Sequence, residues 1–197
     1  MHLAIPVTRS SRRFAILAVF LLLVLVVFGT GSAPAPFPST LPVLGGGSEA
    51  YLPRFDGFSL RIPTIDLEVD VYEALVRGDT WDFSVFTHQA AHLQLTAFPG
   101  QGSNVVIGAH YELANFEPGP FIDLDEVPLG AEIFVDFAGH TYVYEVTDTM
   151  LVHPENIEVA YRTRSEVLTL LTCYEYAPQE GVYARRYVVR AELVEVR

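Results

Sequence analysis

A single cysteine, Cys173, closes the run Thr169-Leu170-Leu171-Thr172-Cys173, in which apolar residues lead directly to a thiol. Thirteen residues later, past Gln179-Glu180-Gly181, stands Arg186. If the two segments are adjacent antiparallel strands, a guanidinium can lie beside the sulfur. There it lowers the thiol pKa and can donate hydrogen bonds to a developing oxyanion. A third candidate, His110, follows the apolar run Asn104 to Ile107 within Gly108-Ala109-His110. Imidazole is the usual partner in cysteine acyl transfer, acting as acid toward a leaving amine and as base toward the next nucleophile. Arg185 adjoins Arg186, but successive strand residues point to opposite faces, so only one can reach Cys173, and spacing selects Arg186. Alone, each of these residues has an ordinary structural explanation. A catalytic reading rests on their combination.

The segments that must position these groups are short and β-like. Phe58 to Ile62 and Ile65 to Val71 alternate on either side of Pro63. A turn at Pro99-Gly100-Gln101-Gly102 precedes the Asn104 strand. Ala131 to Phe137 and Thr141 to Thr147 flank Ala138-Gly139 as a hairpin, Val167 to Thr172 reads as a strand covered on both faces, and Tyr183 to Val196 alternates. Phe83 to Leu95 is expected to form one helix and Phe121 to Glu126 a shorter one. About eight strands with little helix predict a mainly β protein closed into a barrel, which removes exposed edges. Trp81 is expected to anchor the core, and His88, His92, His140 and His153 to be surface or turn residues.

The N-terminal part divides differently. Phe14 to Phe28 is an unbroken run of fifteen apolar residues, and no charge occurs between Arg13 and Glu49. The uncharged stretch extends to about 20 residues, enough to span a bilayer. Arg9, Arg12 and Arg13 precede it, so the positive-inside rule leaves the N-terminus cytoplasmic and exports the rest. We read 1–13 as a basic cytoplasmic tail, 14–30 as a transmembrane anchor and 31–50 as a spacer with four Pro and four Gly. Residues 51–197 form the folded domain. A cleaved signal peptide is the competing reading of 14–30, with Ala33-Pro34-Ala35 as its site and the unfavourable Pro36 following.

Of 36 charged residues 24 are acidic, the net charge is −12, and every basic one is Arg. A surface of that sign excludes nucleic acid as a partner, and the absence of Lys excludes lysine-dependent mechanisms. A lone Cys forms no internal disulfide and no thiolate metal site.

The stretch from Thr169 to Val194 resembles the signature of the sortase family, Thr-Leu-x-Thr-Cys followed by an arginine at this interval. The segment Pro99-Gly100 through Asn104 to His110 is similar to the one preceding the family's histidine, and Ile62-Pro63-x-Ile65 resembles its first barrel strand. The resemblance covers roughly 58–196 and departs at Ala109, where many sortases have Gly. It implies an eight-stranded β-barrel with short helices, a single N-terminal anchor and an extracellular catalytic domain on the cell membrane. Cys173 would attack a Leu-Pro-x-Thr-Gly-like sorting signal of a substrate protein to form a thioester. His110 would serve the departing and incoming amines, Arg186 would hold the oxyanion or substrate backbone, and Thr172 would support them by orienting substrate or Arg186. The acceptor would be an amine of the cell envelope or of a pilin. Some sortases bind calcium through acids before the histidine, but no Asp or Glu occurs from Phe83 to Tyr111, so neither metal nor cofactor is expected. Two rival readings are a cysteine hydrolase that releases peptides to water and a non-catalytic anchored barrel with an inert, buried Cys173.

Overall fold

The computed structural model describes residues 54–197, so the expected tail, anchor and spacer all lie outside the described residues. Ten strands run in chain order: β1 (Arg54–Ile62), β2 (Leu67–Ala74), β3 (Val76–Arg77), β4 (Thr80–Trp81), β5 (Ala90–Leu93), β6 (Asn104–Gly108), β7 (Glu132–Phe137), β8 (His140–Val152), β9 (Val167–Ala177) and β10 (Val182–Val196). Eight of them close a barrel in the order β1-β2-β5-β6-β9-β10-β8-β7, with β1 pairing β7 to complete the ring. The pairs β2–β5 and β6–β9 are parallel and the rest antiparallel. The small strands β3 and β4 form a separate hairpin.

Alternation fills the interior. Leu60 and Ile62 from β1, Ile133 and Val135 from β7, and Leu168 and Leu170 from β9 are all fully buried. Each such side chain contributes about 1.5–3 kcal/mol on leaving water. The tight turn between β7 and β8 puts Ala138 at φ 51° and Gly139 at φ 82°, the paired positive angles that match the twist of a two-residue hairpin.

Two expected helices are absent in the form anticipated. From Phe83 to Leu95 the chain makes turns and then β5, whose four residues are all buried between β2 and β6. Of Phe121 to Glu126 only Leu124–Glu126 winds, as a 3-10 turn. A short apolar run buried on both faces carries no period, so a strand and a helix read alike there.

Polar devices hold the loops. The Glu166 carboxylate accepts from the backbone N–H of Gly100 (3.0 Å) and of Gly102 (2.8 Å) and from Tyr144 Oη (2.8 Å). This fixes the turn that feeds β6. Gly100, at φ 85°, must be Gly, because a Cβ there would lie 2.7 Å from Tyr142 Oη. Next to that turn, Phe98 stacks on Phe137 (5.3 Å between centroids) and on His92 (4.2 Å).

His92 is therefore a core residue and not the surface or turn residue expected. It is fully buried, with Nε2 bonded to Ala97 O at 2.9 Å and Nδ1 without a partner. Burial pushes its pKa below the ordinary histidine value, because the cation has lost its water. The unfolded chain protonates His92 near the usual value of about 6.5, whereas the folded barrel resists protonation. The contribution is complete above that value and is lost as pH falls below it, down to the depressed folded pKa. Urea midpoints measured between pH 5 and 7.5 should therefore fall on the acid side, and His92→Gln should flatten that slope.

Candidate active site

On the antiparallel ladder of β9 and β10, Cys173 stands directly opposite Arg186. Such cross-strand neighbours have Cβ atoms about 4.5–5.5 Å apart on one face. Arg185 pairs with Tyr174 instead and makes a 3.8 Å ion pair with Glu175. Strand parity thus separates the two arginines as spacing suggested. Arg186 lines the cleft that contains Cys173, while Arg185 does not.

The thiol does not sit at the end of its strand, as the sequence led us to expect. β9 continues to Ala177, but its parallel neighbour β6 ends at Gly108, opposite Leu171. Cys173 is reached because β6 stops, which opens one side of β9 two residues before the sulfur.

From the end of β6 the chain passes through Ala109 into His110. The hydroxyl of Thr172, itself buried, donates to Ala109 O at 2.9 Å. Thr172 therefore steadies the backbone that carries His110, and its hydroxyl bonds that backbone and not Arg186. Ala109 N donates to Leu171 O at 3.3 Å, so the departure from Gly at 109 leaves the β6–β9 connection intact. On the far side, Phe121 N donates to His110 O at 3.0 Å, and Gly119 packs so tightly that a Cβ there would clash with that oxygen. His110 Nε2 donates to Phe83 O at 3.3 Å, a carbonyl that can only accept. The Phe83 ring approaches Gly108, where a Cβ would lie 2.8 Å from it. Neither Phe83 nor Gly119 was legible as a site residue. Phe83 lay in the stretch read as a helix.

Cys173, Arg186, His110 and Thr172 share one cleft of about 330 Å³. Trp81 and Phe83 line it, as do Pro154, Asn156, Ile157, Val159 and Ala160, together with Leu171 and Val188. Trp81 is half-buried and bonded through Nε1 to Gln94 O at 2.9 Å, so it serves the cleft wall as well as the core beneath. The cleft wall also contains the 3-10 turn Ile157–Ala160, which buries none of its residues. Hydrogen bonds hold it: Asn104 Nδ2 donates to Val159 O (2.9 Å) and to Tyr161 O (3.0 Å), and Arg190 donates to Val159 O (3.1 Å).

The electrostatics of the thiol oppose each other. Burial raises its pKa, the nearby Arg186 guanidinium lowers it, and the net displacement is upward. The expectation that Arg186 would leave the thiol more acidic than usual is thus corrected. Its charge is present, but desolvation is the larger effect.

A family model for the sortase domain matches residues 60–194. The lid mutant of sortase A from Corynebacterium diphtheriae is 31% identical with a TM-score of 0.60, covering 72% of each chain. Sortase C-1 from Actinomyces oris is 26% identical with a TM-score of 0.59, covering 70% of this chain and 73% of that one. Sortase A of Streptococcus agalactiae serotype III (strain NEM316) is 24% identical over 156 residues, which span 78% of this chain and 53% of that protein. With a matched domain of this extent, and a closed barrel that brings Cys173, Arg186 and His110 to one cleft, the chain belongs to the sortase family, whose members are cysteine transpeptidases.

Proposed function

We propose that this protein cleaves a Leu-Pro-x-Thr-Gly-like sorting signal and transfers the acyl fragment to an amine of the cell envelope or of a pilin. In this reading residues 14–30 anchor it in the cell membrane with the barrel outside. The observation that carries the proposal is the Cys173–Arg186 cross-strand pair opening into the cleft that also holds His110.

The Cys173 thiolate attacks the scissile carbonyl carbon, and the carbonyl oxygen takes up negative charge. Arg186 is the donor for that oxyanion. As the C–N bond breaks, His110 gives its proton to the departing amine, leaving a thioester on Cys173. An incoming amine then loses a proton to His110, attacks the thioester and releases the thiolate. Thr172 acts only through the Ala109 carbonyl, by keeping the imidazole in place. The apolar cleft walls suit an uncharged signal.

Attack needs thiolate, and protonation of the leaving amine needs imidazolium. A thiol displaced upward leaves little thiolate near neutrality. Turnover is therefore slow.

Product analysis by mass spectrometry, with a signal peptide and an added amine, tests the reaction. Transfer product is expected, and release to water alone would reassign the protein as a hydrolase. Cys173→Ala should abolish cleavage with a native circular dichroism spectrum, and turnover in that variant would sink the assignment. Arg186→Ala should lose about 10²–10³ in kcat, the usual worth of an oxyanion donor, and Arg185→Ala far less.

Iodoacetamide rates against pH report the thiol directly. Because burial raises its pKa, the midpoint should lie above the ordinary value of about 8.5. Arg186→Gln removes the one opposing influence, so it should move the midpoint further up and slow alkylation at any pH below it. A midpoint that falls in Arg186→Gln, or a thiol that never reacts in the folded protein, contradicts this account.

A further inference from the structure

Beyond the cleft lies a shallow groove formed by Leu95, Ile157, Tyr161 and their neighbours Trp81, Thr96 and Arg162. It is continuous with the cleft, because Trp81, Ile157 and Ala160 line both. Three large apolar side chains are left in water there: Leu95 at 79% exposure, Tyr161 at 58% and Ile157 at 51%. Leu95 is also held at φ 75°, a left-handed conformation that a residue with a branched side chain rarely adopts. Its turn is fixed from both sides, with Thr96 Oγ1 donating to Leu93 O (2.7 Å) and Trp81 Nε1 to Gln94 O (2.9 Å). An outlier of this kind, apolar and turned outward, gains nothing from the barrel core and points to a binding role.

We propose that this groove binds the two or three substrate residues immediately N-terminal to the sorting signal, and that it selects apolar side chains there. The proposal rests on the transpeptidase reading above.

Strand register supplies the distance. Ala97 N donates to Asn104 O, Asn104 Nδ2 donates to Tyr161 O, and Asn104 pairs with Val167 of β9. The groove is therefore level with Val167, six residues before Cys173, or about 20 Å along the strand at roughly 3.3 Å per residue. A departing amine must stay beside His110. The acyl side then runs the other way, past Leu171 and Val188 toward Ile157 and Val159, back along β9. Four acyl residues of a sorting signal span about 13 Å when extended, so the remaining 7 Å or so brings the next two residues over the groove. These upstream residues are an obligatory part of a protein substrate, and they must leave the cleft in this direction. Arg162 on the rim also suits a substrate carboxylate in an otherwise acidic protein.

Two peptides test this with the full chain in detergent. One is acetylated at the first residue of a Leu-Pro-x-Thr-Gly signal, and the other carries Val-Phe-Val before it. With hydroxylamine as acceptor, the longer peptide should show at least about tenfold higher kcat/KM through a lower KM, the worth of one good apolar contact. Leu95→Asn, which tolerates the left-handed backbone, and Tyr161→Ser should erase that difference and leave the short peptide unchanged. Equal kcat/KM for the two peptides in wild type overturns the proposal. A readout independent of turnover uses benzoylphenylalanine at the second residue before the signal, photocrosslinked to the Cys173→Ala full chain. A crosslink at Leu95, Ile157 or Tyr161 supports the groove, and its absence there overturns it. Crosslinking without turnover of either peptide by wild type would remove the transpeptidase reading and leave the binding surface standing. Self-association that Leu95→Asn disrupts would give the groove to a second copy and overturn the proposal.

Discussion

The register of β9 against β10 is the constraint on which the site depends. Because the side-chain period of a strand is two, a slip of one residue would put Arg185 beside Cys173 and turn Arg186 to the other face. The ladder runs from Val182 opposite Ala177 to Glu192 opposite Val167, and its interior positions are Leu168, Leu170, Val189 and Ala191. With β9 in place, such a slip would turn Arg190 toward the core and turn the buried Val189 and Ala191 out of it. At about 1.5–3 kcal/mol for each larger side chain, that exceeds what an exposed arginine–thiol contact contributes. The Cys173–Arg186 pairing is thus a by-product of core packing several residues away.

The position of the open side follows from a different feature, the shortness of β6. Five residues suffice for β6 to pair with β9 as far as Leu171, after which the chain turns away through Ala109. Thr172 makes that departure definite, since its hydroxyl is buried and its partner is the Ala109 carbonyl. A buried hydroxyl without an acceptor would cost about 1–3 kcal/mol. The same bond thus satisfies a core polar group and places the histidine. Half-burial of the thiol is the consequence: enough apolar surroundings to raise its pKa, with one cation close enough to oppose that rise.

What could be read from residue order, and what could not, follows from the range of each interaction. Cys173 and Arg186 were legible as neighbours because their placement depends on strand parity and a short interval, whereas His110, far upstream in the chain, was singled out by residue type and by the family resemblance. The barrel was legible because most strands alternate. His92 was misplaced because nothing local distinguishes a surface histidine from one stacked on Phe98, which reaches it through the turn that follows. β5 was misread because its burial comes from β2 and β6 on either side. Phe83, Gly119 and the Ile157–Ala160 wall were invisible for the same reason. Their roles are backbone contacts across 9 to more than 50 residues, and backbone contacts leave no residue-type signal.

The two walls of the cleft differ in what holds them. Trp81 packs against Ala74, Phe86 and Ala91, so its side of the cleft is tied to apolar burial. The Ile157–Ala160 wall leaves none of its residues fully buried and hangs from carbonyls bonded to Asn104 and Arg190. Segments with few buried apolar contacts open at lower free energy than the core they rest on. Asn104 is itself committed on both ends, with its Oδ1 accepting from Thr169 Oγ1 at 2.7 Å inside the sheet. Movement of the wall must therefore pivot about Val159 and Tyr161 and cannot detach without unpairing buried groups. Ile157 can thus shift while the carbonyls behind it stay in register with β6, so the Cys173–Arg186 pair, fixed by the sheet, faces a wall that is free to yield at its tip.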